Sequence, residues 1–268
     1  MRGRMVMFSE QSQTTGSIVP FAAIREAREW AEWQALTRDA PPFLTPEFFA
    51  LNQPLAGDGE PLIACARGTD GLVGILPLQR RGHTIEGLRS NHTPDFDYAG
   101  DATGLDAIWR TLRGDRRWST LVLKSVPRDS TLALRLPELA SADGCVVVSR
   151  PGDRHPYLSL GSFEAHMNPH FRANLRRCER KAGGVTLERL TAPTRADLEE
   201  ALHIEEMAWK GNAGTSITAD ARTRHLYHAL VRLFGRRGQA SLYFLRAGGQ
   251  RLAMLLAVEA GQTIYALK

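Results

Sequence analysis

Two stretches of the chain show the same pattern of short apolar runs separated by glycines. The first is residues 62–85, "LIACARGTDGLVGILPLQRRGHTI", and the second is residues 241–264, "SLYFLRAGGQRLAMLLAVEAGQTI". They align without gaps at an offset of 179 residues, and the alignment pairs Arg67 with Arg246. Each run reads as a strand, a Gly-rich turn, a second strand, a glycine turn and a third strand. The pattern therefore predicts two three-stranded meanders that superpose.

Helical patterns precede each run. The segments "AIREAREWAEWQAL" and "TPEFFALN" come before the first run, and "RADLEEALHIEEMAWK" and "ARTRHLYHALVRLFGRRG" come before the second. A strand is also predicted at 185–190, and a helix "DAIWRTLRG" and a strand "STLVLKSV" follow the first run. This mixture is typical of an α/β (α+β) unit around a mixed, mainly antiparallel sheet. The shared order favours a duplicated domain.

The order of these predicted helices and strands also predicts the domain boundaries. We expect a disordered N-terminus at 1–16, a first domain at 17–150 and a second domain at 160–268. The last residues of the chain, "TIYALK", read as a strand with no helix after it to cover the sheet. An uncovered strand edge and apolar face are unfavourable. We therefore expect the second copy to be truncated at its C-terminus.

A basic segment, "NPHFRANLRRCERKAGG", occupies residues 168–184. At 3.6 residues per turn, Phe171, Leu175 and Cys178 share one narrow helical face. Basic side chains occupy the remaining faces. Three interpretations stay open at this point: a solvated surface on a core-packed helix, an anion-binding face, or a nucleic-acid helix. The basic residues are Arg172, Arg176, Arg177, Arg180 and Lys181.

Composition narrows the class of protein. The 268 residues are 43% apolar and 24% charged, which is ordinary for a soluble globular protein. The net charge is +5 and the pI is about 9.4, which mildly favours anionic partners. Three widely spaced cysteines without a CxxC pair indicate a reducing, cytoplasmic location. No apolar run approaches the ~18–20 residues of a membrane span.

Three stretches carry a resemblance to a known family. They are "FRANLRRCERKAG", "EEMAWKGNAG" and "LRAGGQRLAMLLAVEAGQTIYALK", all within residues 171–268. They resemble the acetyltransferase domain of CelD/BcsL-type proteins, also called the BioF2-like domain of the GNAT superfamily. The resemblance implies tandem GNAT-like domains, the first one degenerate, distantly similar to the FemABX peptidoglycan aminoacyltransferases. It also implies acyl transfer to an amine or hydroxyl in bacterial envelope or exopolysaccharide metabolism, including cellulose biosynthesis.

The acyl donor implied by the resemblance is acetyl-CoA or another acyl-CoA, used as a co-substrate. The Arg/Gln-x-x-Gly-x-Gly/Ala loop that typically binds it after the fourth strand is absent from the chain. In the second copy its position lies beyond Lys268. The cofactor-binding residues are therefore unknown, and we expect residues 1–268 alone not to transfer acyl groups. An inactive GNAT scaffold and a basic nucleic-acid-binding module are the alternatives, although no specific nucleic-acid signature occurs.

The candidate catalytic residues are Glu205, Tyr265 and Lys268. Glu205 shares a helical stripe with Leu198 and Leu202, so it is either hydrogen-bonded in the core or lining a cleft as a general base. Tyr265 and Lys268 lie on the last strand, which borders the acyl site in the family that the chain resembles. Ordinary strand side chains would show the same pattern. A tyrosine there could protonate the departing thiolate.

The candidate substrate-binding residues come from three segments. The basic helix would face an anionic small-molecule or saccharide acceptor. The run after Glu205 adds a tryptophan that could equally be core and a lysine that could equally pair with Glu206. The loop "NHTPDFDYAG" adds a carboxylate and a tyrosine, although loops also use Asx turns. Metal binding is not expected, because His225 and His228 lack a third ligand. The candidates are Arg172, Arg176, Arg180, Trp209, Lys210, Asp97 and Tyr98.

Overall fold

The computed structural model describes residues 14–25, 28–152, 157–163 and 167–268. Two compact units divide the chain, Met1–Pro151 and Gly152–Lys268. Residues 1–13 of the predicted disordered N-terminus lie outside the described residues. The first strand begins at Thr15, slightly before the predicted domain start at residue 17.

The N-terminal unit alternates helices with the strands of one sheet. Its strands run in the order β1-β2-β3-β4-β6, with β5 paired to β3. All of these pairs are antiparallel except the parallel pair of β4 and β6. Two 3-10 turns, Pro42–Leu44 and Gln53–Leu55, flank the third helix. The elements are β1 (Thr15–Pro20), α1 (Phe21–Arg25), α2 (Arg28–Leu36), α3 (Pro46–Asn52), β2 (Glu60–Gly68), β3 (Gly71–Arg81), β4 (Thr84–Gly87), β5 (Ala99–Gly100), α4 (Ala102–Gly114), β6 (Thr120–Val122) and α5 (Thr131–Ala142).

Helix α4 covers one face of this sheet and contacts β1, β2 and β3. Its first turn is capped by Asp101, whose side chain accepts a hydrogen bond from the Gly104 N–H at 2.7 Å. Its inward stripe is spaced by three and four residues, so all its members face the sheet together. Helix α2 contacts β3. The stripe of α4 comprises Leu105, Ile108, Trp109 and Leu112, all buried.

The C-terminal unit has a four-stranded antiparallel sheet in the order β10-β9-β8-β7. A 3-10 turn, Ile217–Ala219, joins two of its helices. The core packs leucines of the second helix and Tyr227 against the sheet residues Leu242, Phe244 and Leu256. The elements are α6 (Pro169–Lys181), β7 (Thr186–Leu190), α7 (Arg195–Met207), α8 (Trp209–Asn212), α9 (Ala221–Arg236), β8 (Ala240–Ala247), β9 (Gln250–Ala260) and β10 (Thr263–Ala266).

The two sheets share one strand register. Shifting β3 and β4 by 179 residues reproduces the bounds of β9 and β10. The pairing slips between Ala66 and Arg67 in the first sheet, and at the matching step between Leu245 and Arg246 in the second. This slip marks a β-bulge, in which an extra residue on one strand disturbs the ladder. The prediction of two equivalent three-stranded meanders is therefore confirmed.

One face of the second sheet differs from its counterpart in burial. Leu245 and Ile264 are exposed on this face of the C-terminal unit. Their counterparts at the 179-residue offset, Ala66 and Ile85, are buried in the N-terminal unit. Helix α4 packs on the first sheet, whereas α7 and α9 contact the second sheet. The matching backbones therefore carry different side-chain environments.

Candidate functional site

Glu205 is a buried carboxylate near the end of α7, with 6% of the residue exposed. Leu202 and Leu198, one and two turns earlier on the same stripe, are also buried, so the helix must carry Glu205 inward. Its Oε2 atom accepts a hydrogen bond from the backbone N–H of Ile217 at 2.9 Å. Its Oε1 atom lies 3.7 Å from Nζ of Lys268. The carboxylate thus joins α7 to the 3-10 turn and to the residues that follow β10.

Lys268 is directed toward Glu205 by the way that the last strand pairs. The N–H of Leu256 donates to the carbonyl of Lys268 at 2.8 Å, and the N–H of Leu267 donates to the carbonyl of Leu256 at 2.9 Å. Two residues of one strand thus oppose one residue of its neighbour, which is the arrangement of a β-bulge. In the N-terminal unit the matching bond runs from the Leu88 N–H to the Pro77 carbonyl at 3.1 Å. The irregular end of the fourth strand therefore belongs to the shared backbone plan.

Tyr265 lies on β10, three residues before Lys268, which follows the end of that strand. It pairs with Val258, whose side chain is buried, so Tyr265 lies on the inner side of β10. Its neighbour Ile264 points to the opposite, exposed face. Of the three candidate catalytic residues, the structure brings Glu205 and Lys268 into contact and places Tyr265 close along the strand. Their catalytic roles stay predictions.

Two groups of this site were missed by the sequence analysis. The Ile217 N–H is a backbone donor, so no residue type could have identified it. Tyr227 is a buried side chain of α9 whose pKa is raised above its ordinary value, first by burial and then by the negative charge of Glu205. Tyr227 therefore stays protonated at neutral pH near the carboxylate. The apolar periodicity of α9 was the signal that could have placed it inward.

The segment after α7 turns sharply. Gly211 packs so closely on the preceding helix that a Cβ there would lie 1.7 Å from the carbonyl oxygen of Glu206. Glycine is thus required for the chain to return from α8 to the turn that bonds Glu205. The side chains of Trp209 and Lys210 lie outside the described residues. Their predicted substrate contacts stay predictions.

The predicted arginine contacts lie on α6. Arg172, Arg176 and Arg180 are exposed, and none of the residues of this fully described helix is buried. The helix therefore stands outside the core cluster that contains Leu198 and Leu202. Substrate binding by these arginines stays a prediction.

Asp97 and Tyr98 lie in the N-terminal unit. The Tyr98 hydroxyl donates to the carbonyl of Asp101 at 2.9 Å, and the ring is buried. Burial raises the pKa of Tyr98, and the charge of Asp101 adds to the shift. Asp97 accepts a hydrogen bond from the Tyr98 N–H at 2.8 Å, and burial raises its pKa. A substrate would have to displace the bond to Asp101 to reach the Tyr98 hydroxyl, so Tyr98 serves to anchor α4.

In the part of the chain that the structure describes, no group of three or more His, Cys, Asp or Glu side chains could hold a metal ion. The Nε2 atom of the half-buried His228 lies 2.9 Å from a carboxylate oxygen of Glu199. Among the described helices, none is both long and apolar enough to cross a bilayer.

The C-terminal unit is an α+β domain in which the end of the fourth strand meets a buried carboxylate. This arrangement is suited to proton transfer at a bound nucleophile. Residues 169–268 match the family model described as the acetyltransferase (GNAT) domain. The match supports the GNAT superfamily for this segment, and with it acyl transfer in general. No curated protein matches the chain.

Proposed function

We propose that the C-terminal unit transfers an acyl group from acetyl-CoA or another acyl-CoA to an amine or hydroxyl. The observation that carries this proposal is the contact between Glu205 and Lys268 inside the segment that matches the GNAT domain. A buried carboxylate that is oriented by a backbone N–H and a cation is unusual for a purely structural helix end. It is the arrangement expected where a proton must be accepted at a defined place.

Glu205 would act as the general base. An amine acceptor arrives as an ammonium ion and a hydroxyl acceptor is a weak nucleophile, so either one must lose a proton to attack a carbonyl. The Ile217 N–H bonds to Oε2, and Oε1, on the side of Lys268, would be the oxygen that accepts this proton. One contact at each oxygen orients the Glu205 carboxylate before the acceptor binds.

Lys268 and Tyr265 would act on the opposite charge. Acyl-CoA supplies the activated thioester, and negative charge develops first on its carbonyl oxygen and then on the departing sulfur. The Lys268 ammonium would stabilise such charge, and Tyr265 on β10 would offer a hydroxyl proton. These donors fit the acyl end of the co-substrate. We assign no residue to its nucleotide end.

The acceptor that we propose is a small molecule or saccharide of envelope or exopolysaccharide metabolism. This part of the proposal is supported by the resemblance of the three quoted stretches to CelD/BcsL-type proteins. The net charge of +5 favours an anionic acceptor. An inactive GNAT scaffold is the competing hypothesis.

The test is thiol release from acetyl-CoA by the full-length protein, assayed with a panel of amino sugars and saccharides. We expect Glu205→Gln to lower kcat by about 10²-fold or more, because general-base catalysis contributes 10²–10⁴-fold. Glutamine keeps an oxygen that can accept from Ile217, so the fold should persist. Glu206→Gln is the matched control, since Glu206 is the exposed neighbour on the same helix.

Equal and small effects of the two substitutions on kcat would assign Glu205 a structural role. Absence of turnover with every acceptor, together with absence of acetyl-CoA binding in calorimetry, would favour the inactive scaffold.

A further inference from the structure

Helix α6 carries an apolar stripe that faces solvent. Phe171 is 49% exposed and Leu175 is 44% exposed, and Cys178 on the same stripe is an exposed free thiol. The helix is nonetheless well formed, since Asn168 caps it by accepting from the His170 N–H at 2.9 Å. Exposed aromatic and branched apolar side chains in one row are unfavourable in water unless they meet a partner.

The charges of α6 are arranged around this stripe. At 100° per residue, Arg172 and Lys181 lie about a quarter turn to either side of it. Arg176, Arg177 and Arg180 occupy the far surface. Glu179 is the single acidic residue among the thirteen residues of the helix, against five basic ones. The helix is thus amphipathic, with cations on both flanks of a central apolar row.

We propose that α6 is a docking surface for an anionic membrane. Phe171 and Leu175 would enter the boundary between headgroups and acyl chains, while Arg172 and Lys181 extend sideways to lipid phosphates. A basic helix with aromatic and leucine side chains on its apolar face has the form of an interfacial helix. Its net positive charge complements the negative potential of an anionic leaflet. This role is independent of the proposed acyl transfer.

A nucleic-acid interface is less consistent with this geometry. Proteins bind nucleic acid chiefly through cations that face the phosphates. The phosphate backbone provides no apolar surface to cover the exposed row that lies between the cations of α6. In a helix that only faces solvent, the exposure of Phe171 and Leu175 to water would be unfavourable and uncompensated. The short length, about 20 Å at 1.5 Å per residue, implies a weak and reversible attachment.

The first experiment is sedimentation of the whole chain with vesicles. Phosphatidylcholine vesicles are compared with vesicles of phosphatidylcholine and phosphatidylserine in equal amounts. We expect binding to the second kind alone, and we expect added salt to weaken it. The double variant Arg172→Glu and Lys181→Glu should bind at least about twentyfold more weakly, since each basic residue near an anionic leaflet contributes about fivefold.

The matched control is Arg232→Glu with Arg236→Glu. These two arginines are exposed basic residues like Arg172 and Lys181, but they lie on α9. The control has the same net charge as the α6 variant, so it should keep most of the vesicle binding if α6 itself is the docking surface. An equal loss in both variants would mean that net charge alone attracts the protein and would overturn the proposal.

The second experiment reports insertion. An environment-sensitive fluorophore is attached to Cys178 in a Cys145→Ser background, because Cys65 is buried and does not compete. We expect a blue shift with the anionic vesicles, and we expect Phe171→Ser to abolish it. Tighter binding to a duplex oligonucleotide than to vesicles, without a blue shift, would identify a nucleic-acid interface and refute membrane docking. Absence of binding to either vesicle would also refute it.

Discussion

The substitution Gly104→Ala should destabilise the N-terminal unit, although helix propensity predicts the reverse. Gly104 lies in the first turn of α4, where alanine is ordinarily favoured over glycine by about 0.5–1 kcal/mol. A Cβ at this position would lie 2.5 Å from the Tyr98 hydroxyl oxygen and 2.8 Å from the carbonyl oxygen of Val73. The second of these atoms belongs to the backbone of β3, which cannot move without disturbing the sheet.

The expected size of the effect follows from these two distances. Overpacking in a well-filled site costs about 1–3 kcal/mol. The gain in helix propensity offsets less than half of the upper value. We therefore expect a net loss of about 1–2 kcal/mol in the free energy of unfolding. Relief by Tyr98→Phe in the double variant should be partial, because it removes the hydroxyl but leaves the contact with Val73.

The assay is urea unfolding followed by tryptophan fluorescence. Four of the five tryptophans lie before residue 152, so the signal mainly reports the N-terminal unit. Gly114→Ala at the other end of α4 is the matched control, since a Cβ there would meet nothing within 4 Å. It should be neutral or stabilising. A Gly104→Ala protein as stable as the Gly114→Ala protein would refute the inferred packing of Tyr98 against α4.

Two further predictions concern the C-terminal unit. Thr194→Ala should destabilise α7 by about 1 kcal/mol at neutral pH, because Thr194 is its N-cap. Hydrogen bonds from Thr194 lower the pKa of Asp197, so this stabilisation is present above the ordinary pKa of an aspartate and is lost as pH falls through the lowered value. Hydrogen exchange in α7 at neutral and acidic pH should show the Thr194→Ala deficit shrinking in acid; a constant deficit would exclude this linkage. Arg251→Met should destabilise β9 more than Arg189→Met in the same measurement, because the Arg251 guanidinium contacts Glu188, Asp197 and Glu200 and stacks 4.0 Å from the Phe244 ring centroid. Equal losses would show that the three carboxylates do not act together.

The elements predicted best are those in which one period dominates. In 62–85 and 241–264 the short apolar runs separated by glycine turns predicted both meanders. The stripe that placed Glu205 inward was also readable, since Leu198 and Leu202 lie at helical spacing before it. A carboxylate on an apolar helical stripe breaks the pattern and can be recognised in the sequence.

The parts that sequence reasoning missed depend on contacts between distant residues. Helix α5 was not predicted, and its interior Pro137 removes a backbone donor that helices normally use. The hydrogen-bond partner of Glu205 is the backbone N–H of Ile217, and a backbone donor cannot be predicted from residue type. Tyr98 was predicted to bind substrate because it lies in a turn-rich loop. In the structure its hydroxyl packs against three glycines, at positions 74, 100 and 104. Gly74 is distant from Tyr98 in sequence, so this packing could not be read from the loop. Tertiary packing determines these features, and it leaves no periodic pattern in the sequence from which they could be predicted.

The matching bulges of the two sheets bear on how this gene can change. Side chains at equivalent positions differ widely, as Ala66 does from Leu245 and Cys65 from Phe244, yet the step in register lies in the same place. Inserting or deleting one residue between the bulge and the next turn would exchange the two faces of the strand. Substitutions meet no such barrier. Related genes should therefore vary in length at the turns and at the connections between helices, and keep a constant spacing from the bulge to the glycine turn in both halves.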